Sequence, residues 1–263
     1  EEFDLDDHES LEAIFRRHED DVAAVVMRPL QGGHEAPPEG TYDRIREICD
    51  REGALFVLDE IYSGFRYAPG GAQEYFGIEP DLSCFAKGIS NGYPLSALVG
   101  REDVMRTMEE PDFFFSMTYA GEAASLAAAK AALEEMKDGD VSEHIWTVGE
   151  GFRDGYNSLV AEHDLDQVTE CVGLGPSVEI EFEGSGEASA NLIESLFMQE
   201  AHRRGVFYSG HQFCYSHSEA DIEEALDAYD ESLSVLASAL REGDVEERLD
   251  GPPMGANVTS WSS

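Results

Sequence analysis

The first hundred residues contain two kinds of hydrophobic pattern. Two segments place apolar residues at the spacing of amphipathic helices: DDHESLEAIFRRHED (6–20) and TYDRIREICDREG (41–53), which Gly53 closes. Four continuous apolar runs read instead as buried strands, at 22–30, 54–60, 81–88 and 95–100. Because the helical segments and the apolar runs take turns, the pattern predicts an α/β sheet covered on both faces.

The pattern changes after about residue 105. AGEAASLAAAKAALEEMKDG (120–139) predicts a long Ala-rich helix, and three more helical segments follow at 141–164, 191–205 and 218–243. SVEIEFEG (177–184) alternates like a half-exposed strand, and GVFYSGHQFCYS (205–216) predicts at least one short strand. The second half is therefore predicted to be a smaller α+β domain.

The charge balance is unusual, with 17 Lys and Arg residues against 56 Asp and Glu residues and a formal net charge of −39. The acidic residues are spread along the whole chain rather than gathered in a tail. This distribution favours adaptation to high salt, where counterions screen self-repulsion; an ordinary acidic cytosolic protein is the alternative. Nucleic acid is a poor partner in either case, because phosphate binding needs Lys and Arg.

The cysteines point to a reducing compartment. Cys49, Cys84, Cys171 and Cys214 lie far apart and form no C-x-x-C pair, which is typical of neither a zinc motif nor a small disulfide scaffold. We therefore expect free thiols, no metal site and a cytoplasmic location. The sequence contains no run of 18 apolar residues, so no membrane span is predicted. No secretory signal precedes the first helical segment.

Ionisable residues stand at the ends of two predicted strands. Asp59 and Glu60 close one apolar run, and Lys87 closes the next. Because ligands of an open α/β sheet bind beyond the carboxyl ends of its strands, Asp59 and Lys87 are candidates for one site. A simple ion pair between Lys87 and either carboxylate is the alternative. The irregular turn NGYPLSA after Lys87 favours a ligand that approaches the backbone closely.

These segments resemble the class III aminotransferases, pyridoxal-phosphate enzymes of fold type I that include glutamate-1-semialdehyde aminomutase. The resemblance extends over nearly the whole chain, from PLQGGHEAPPEGTYDRIREICDREG to HSEADIEEALDAYDESL. The most specific matching pieces agree in order and spacing: Asp59-Glu60-Ile61, Gly64-Phe65-Arg66, Pro80-Asp81, Lys87-Gly88, Gly92-Tyr93-Pro94 and Gly100-Arg101.

The resemblance also implies a domain organisation. Residues 1–119 would form the C-terminal part of a large cofactor-binding α/β domain with a mainly parallel sheet. Residues 120–139 would be a connecting helix, 140–250 a small α+β domain and 251–263 a flexible tail.

The family pattern assigns roles to four residues. Lys87 would form the Schiff base with pyridoxal phosphate and later shuttle protons. Asp59 would pair with the pyridine nitrogen, and Ile61 would pack against one face of the ring. Thr118 would reach the cofactor phosphate, in this family usually that of the partner subunit, which implies a homodimer with shared active sites.

The chain departs from the family pattern at several places. Most relatives carry Glu-Pro where this chain has Arg28-Pro29, and many place Gln or Met where it has Tyr62. YAGE (119–122) replaces a commoner Gly-Asn-Pro form. Well over a hundred residues normally precede the segment at 4–15, and they hold a phosphate-binding turn and an aromatic residue that stacks on the ring.

The sequence therefore leads to a ranked set of expectations. The first is an aminotransferase that passes an amino group from a small-molecule donor to a carbonyl acceptor through Lys87. The close alternative is a glutamate-1-semialdehyde type of aminomutase. Another alternative is a truncated or split remnant that is inactive alone or needs a separate chain carrying the front segment. A weaker one is a Schiff-base lyase without cofactor.

Overall fold

The computed structural model describes residues 1–254 apart from 6, 19–20, 31–33, 115 and 208–211. The chain divides into two compact units, Glu1–Glu143 and a second unit that begins at His144. Each unit has its own hydrophobic core. In the described ranges, no helix combines the length and the apolar character that a membrane crossing requires.

The first unit is built on one four-stranded sheet in the order β1-β2-β3-β4. The first three strands are parallel, and the fourth is antiparallel to β3. The predicted α/β class with a mainly parallel sheet is therefore confirmed. The strands are β1 (Ala24–Met27), β2 (Leu55–Asp59), β3 (Leu82–Phe85) and β4 (Ala97–Gly100). The helices are α1 (His8–Arg17), α2 (Thr41–Glu52), α3 (Ala72–Phe76), α4 (Glu102–Met105) and α5 (Ala123–Met136).

The core of this unit lies on one face of the sheet. The apolar sides of α1 and α2 pack there against alternate residues of β1 and β2, including Phe56 and Leu58. On the opposite face, Val26 of β1 is 62% exposed, whereas Val57, its partner in β2, is buried. Helices α1 and α2 thus cover one face of the sheet, and coverage of the other face stays a prediction.

The second unit combines helices with a two-stranded antiparallel sheet of β5 (Thr169–Leu174) and β6 (Ser177–Phe182). Its helices are α7 (Ala190–Arg203) and α8 (Glu219–Glu242), and α6 (Asp140–Glu162) runs into it from the first unit. Strand β5 was not predicted, because TECVGL has two adjacent polar residues and a glycine in place of a clear alternation.

Two sequence predictions concern the end of the chain, the strand within 205–216 and the flexible tail at 251–263. The described residues of segment 205–216 form no strand, so the strand predicted there is wrong for them, and residues 208–211 lie outside the described ranges. In the predicted tail, the Met254 N–H donates to the Ser195 hydroxyl at 3.0 Å. The tail beyond residue 254 also lies outside the described ranges.

A buried carboxylate, Asp81, joins several parts of the first unit. It is 2% exposed and accepts hydrogen bonds from the Phe56 N–H at 2.7 Å, the Arg46 guanidinium at 2.9 Å and the Arg101 guanidinium. Its main-chain carbonyl accepts from the Arg101 N–H at 2.9 Å. We call these four residues the Asp81 cluster. They tie α2, β2, the start of β3 and the end of β4 together.

Hydrogen bonds lower the pKa of Asp81 although burial acts in the opposite direction and is the largest single influence on it. The bonds from Phe56, Arg46 and Arg101 favour the ionised form. The contribution of a carboxyl group with a lowered folded-state pKa is present above its unfolded pKa of about 3.9 and is lost as the pH falls through the folded value.

We expect Asp81→Asn to lower the free energy of unfolding by about 2 kcal/mol at neutral pH, because charge-assisted hydrogen bonds are lost at a buried position. Asp50→Asn is the matched control. It removes an exposed partner of the same Arg46 and should cost less than about 0.5 kcal/mol. Denaturant unfolding followed by circular dichroism measures both values, and equal losses would contradict the role of the cluster.

The same pair of proteins tests the pH dependence. We expect the stability difference between wild type and Asp81→Asn to be complete at neutral pH and to shrink as the pH falls from about 4 through the lowered folded-state pKa, since Asp81 becomes protonated first in the unfolded chain and then in the folded protein. Unfolding curves recorded at a series of pH values measure this difference. A difference that grows towards acid pH would show that the charge of Asp81 is not stabilising.

Candidate functional site

Asp59 is the last residue of β2 and lies at the carboxyl edge of the parallel strands. It is half-buried and stands in register with Cys84 of β3. One carboxylate oxygen accepts the Ile61 N–H at 2.9 Å, which orients the side chain. Burial, and secondarily the charge of Asp59, raises the pKa of Cys84, so this thiol stays protonated beside the carboxylate.

Lys87 begins a short 3₁₀ turn, Lys87–Ser90, directly after β3. Its φ of +47° lies in the left-handed region, which costs a non-glycine residue roughly 1–2 kcal/mol. The side chain is exposed, and its Nζ lies 5.0 Å from the centroid of the Tyr62 ring. This is cation–π contact. The turn and the ring together place the amine at the sheet edge where β2 ends.

The alternative of a simple ion pair is wrong for this structure. Across the described ranges, Lys87 forms no ion pair with Asp59 or Glu60. Asp59 instead binds the backbone after β2, and Glu60 points into the protein interior, where it is fully buried. The Lys87 amine and the Asp59 carboxylate therefore remain available to a ligand at the same edge.

Glu60 holds the chain that follows β2. Its carboxylate accepts the Ala72 N–H at 3.1 Å, the Gln73 N–H at 2.6 Å and the Ser63 hydroxyl, so it caps the start of α3. Burial raises the pKa of Glu60, although these three hydrogen bonds act in the opposite direction. A Cβ on Gly71 would collide with the Glu60 carboxylate, so only glycine fits this approach.

The Gly64-Phe65-Arg66 turn packs against the same region. A Cβ on Gly64 would approach the Glu60 carbonyl and the Phe85 ring to 2.7 Å, and Phe65 adopts a φ of +66°. The Arg66 guanidinium lies 5.9 Å from the centroid of the Tyr62 ring. Tyr62 therefore contacts two cations, Lys87 and Arg66.

The remaining two predicted site residues differ in their placement. Ile61 is half-buried and directly follows the Asp59-Glu60 pair. Thr118 is exposed and lies in the exposed segment before α5, where Glu122 caps the helix by accepting the Ala124 and Ser125 N–H groups. The structure brings Asp59, Ile61 and Lys87 to one edge. The role of Thr118 stays a prediction.

Two contacts near the site could not be predicted from the sequence, one between matching motif pieces and one made by Tyr62. The motif pieces Pro80-Asp81 and Gly100-Arg101 match the family pattern without indicating a role, yet Asp81 and Arg101 bind each other. Their opposite charges were a usable signal, but their separation by 20 residues did not show that the two meet. Tyr62 departs from the family pattern, and its contact with Lys87 appears only in the folded structure.

The chain is similar to known aminotransferases and aminomutases. A family model described as aminotransferase class-III matches residues 2–235. Glutamate-1-semialdehyde 2,1-aminomutase of Halorubrum lacusprofundi is 29% identical over 275 residues, covering 87% of this chain and 60% of its own length. The 3-aminobutyryl-CoA aminotransferase of Cloacimonas acidaminovorans is 29% identical over 248 residues, covering 91% of this chain and 59% of that protein.

A solved structure of a related protein has the same fold as this chain. The FumI protein of Sphingopyxis sp. MTA144, in its PLP internal aldimine form, superposes with a TM-score of 0.81 and 27% identity. The match covers 90% of this chain and 57% of that one. This chain thus spans about 60% of the length of the curated relatives it matches.

We expect Glu60→Ala to lower the free energy of unfolding by about 2–4 kcal/mol, because the buried Ala72 and Gln73 N–H groups lose their acceptor. Glu74→Ala, at an exposed residue of the same short helix, is the control and should cost less than about 1 kcal/mol. Denaturant titration measures both. A small loss for Glu60→Ala would mean that the chain after β2 is held by other contacts.

Proposed function

We propose that this chain, which belongs to the class III aminotransferase family, forms the lysine-bearing part of a pyridoxal-phosphate-dependent aminotransferase. The observation that carries the proposal is the position of Asp59 and Lys87 at one edge of the parallel sheet, each free of an ion pair with the other in the described structure. The family match over residues 2–235 supports the same conclusion.

The residues at this edge fit the cofactor. One oxygen of Asp59 accepts the Ile61 N–H, and the half-buried carboxylate retains the capacity to accept a hydrogen bond from a protonated ring nitrogen. The exposed Lys87 amine can reach an aldehyde carbon. Asp59 and Lys87 would therefore hold the two ends of the pyridine ring system, and Ile61 would supply apolar contact at its face.

The bound cofactor would supply an electron sink for the carbon that carries the amino group. The protein residues do the rest. Asp59, as a carboxylate, keeps the proton on the ring nitrogen. Lys87 Nζ removes a proton from the substrate carbon and returns it at a new position. The Tyr62 ring, 5.0 Å from Lys87 Nζ, would position this side chain at the sheet edge.

An aminomutase is the second candidate. The observation in its favour is the 29% identity to the Halorubrum lacusprofundi aminomutase over 87% of this chain. The same Asp59 and Lys87 would serve both reactions, because an aminomutase moves the amino group within one molecule by the same proton transfers. The two reactions differ in whether the first carbonyl product leaves the site before the amino group is transferred again.

We further propose that the active unit is a homodimer and that it uses the remaining part of the family's length, in the same polypeptide or in a separate chain. The matched relatives are longer by about 40% of their own length. Thr118, exposed before α5, would contact the cofactor phosphate of the partner subunit. Small-molecule amines and carbonyl compounds would be the substrates.

The proposal includes a high-salt, cytoplasmic environment for the protein. A net charge of −39 supports a halophilic setting, since self-repulsion of this size is reduced by screening. Four free cysteines, two of them buried, support a cytoplasmic location.

We expect purified protein at high salt to develop a visible absorption band when pyridoxal phosphate is added, because Lys87 forms a covalent bond with the aldehyde. Lys87→Ala should lose the band. Lys130→Ala is the matched control, because Lys130 is an exposed lysine paired with Glu134 on α5, and it should keep the band. Borohydride reduction and peptide mass mapping should locate the cofactor on Lys87.

The chain has only three lysines, Lys87, Lys130 and Lys137, so the mapping is unambiguous. A band of equal strength in Lys87→Ala would contradict the assigned role. If wild type shows no band alone but gains one when the front segment of a relative is added as a separate polypeptide, the chain functions as one part of a divided enzyme.

We expect Thr118→Val to weaken binding of pyridoxal phosphate about tenfold, since a hydroxyl contact with the phosphate is lost. Light scattering on a sizing column should give twice the mass of the chain when the cofactor is bound. A mixture of Thr118→Val and Lys87→Ala proteins should regain one intact site per mixed dimer. Failure of the mixture to bind more tightly than either variant would exclude shared sites.

A further inference from the structure

Arg28 directly follows β1 at the carboxyl edge of the sheet, the edge at which Asp59 ends β2. β1 ends at Met27, which stands in register with Leu58 of β2. The next residues along these parallel strands are Arg28 and Asp59. Arg28 precedes Pro29, and a residue before proline is held in the extended region, so the strand direction continues through it. Neighbouring strands are about 4.8 Å apart, which sets the separation of the two backbones here.

Arg28 and Asp59 also share one face of the sheet. Val25 and Met27 point into the core formed with α1 and α2. Alternation along a strand therefore places Val26 and Arg28 on the opposite face, where Val26 is 62% exposed. Asp59 occupies the same face, since its neighbour Leu58 is in the core. Arg28 thus lies on the same face of the sheet as Asp59, the proposed partner of the cofactor ring nitrogen.

Within the described residues Arg28 has no hydrogen-bonding or ion-pair partner, although 56 residues of the chain are acidic. Eleven of the fourteen arginines do form an ion pair with a carboxylate there. The chain after Arg28 is anchored, because Pro29 and Leu30 are buried and the Tyr42 hydroxyl donates to the Pro29 carbonyl. Arg28 is therefore an exposed cation on a fixed backbone.

We propose that Arg28 binds a carboxylate group of the amino donor or carbonyl acceptor and so determines which substrates the site accepts. This inference rests on the proposed function, because it takes the Asp59–Lys87 edge as the place of reaction. A guanidinium presents two parallel N–H donors that match a carboxylate, and within the described residues no carboxylate forms an ion pair with Arg28.

The test compares two probes of equal length and different charge, glutarate and its neutral diamide. Titration calorimetry on the full chain, with and without pyridoxal phosphate, measures each dissociation constant. We expect wild type to bind glutarate about tenfold more tightly than the diamide, as one charge-assisted bidentate contact provides. Arg28→Gln should reduce this ratio to about one, and Arg28→Lys should retain part of it.

Arg241→Gln is the matched control. It removes the same charge from the last turn of α8 in the second unit and should leave the ratio unchanged. Arg28 is exposed, so we expect Arg28→Gln to unfold at the same denaturant concentration as wild type. Loss of the ratio in both variants would overturn the proposal, because net charge and not position would then be responsible.

Two further outcomes would also overturn it. One is wild type that binds both probes equally. The other is Arg28→Gln that keeps the ratio but loses affinity for pyridoxal phosphate, since the cation would then serve the cofactor. The absorption band that depends on Lys87 separates the two hypotheses. A band without discrimination contradicts only the role of Arg28, and discrimination without a band contradicts only the proposed function.

Discussion

The buried carboxylate of Asp81 is the interaction on which the arrangement of the first unit depends. It accepts from the backbone of β2 and from guanidinium groups on α2 and after β4, while the adjacent carbonyl holds the Arg101 N–H. A buried charge is tolerated only when it is paired and fully hydrogen-bonded, so these partners are constrained in turn. The start of β3 is thereby fixed. The position of Lys87, in the turn after β3, is fixed with it.

A second buried carboxylate, Glu60, controls the other side of the site. It follows Asp59 directly, but it points into the interior and caps α3, whereas Asp59 remains at the edge. Adjacent carboxylates therefore have opposite roles: one organises the turn that carries Tyr62, and the other is left for a ligand. Tyr62 contacts Lys87 because this turn is held in place.

The distribution of arginines gives the charge of the chain a functional meaning. In a protein with 56 acidic residues, most arginines are paired with carboxylates. At the carboxyl edge of the sheet, Arg28 and Lys87 lack such pairs within the described residues. This positive charge fits the proposed binding of a carboxylate, because salt screens long-range repulsion from the acidic surface while direct contacts persist.

The sequence alone determined the class of fold, the parallel strands and the residues at their ends, because unbroken apolar runs and chain order specify which side chains lie at one edge of a sheet. It also indicated the family through Asp59, Lys87 and their surrounding motif pieces. It could not show that Asp81 meets Arg101, that Glu60 turns inward, or that Tyr62 lies beside Lys87. Strand β5 escaped prediction because its pairing with β6 compensates for weak local propensity. Those contacts were decided by tertiary structure, since hydrogen bonds and ring contacts between residues distant in sequence depend on how the elements pack.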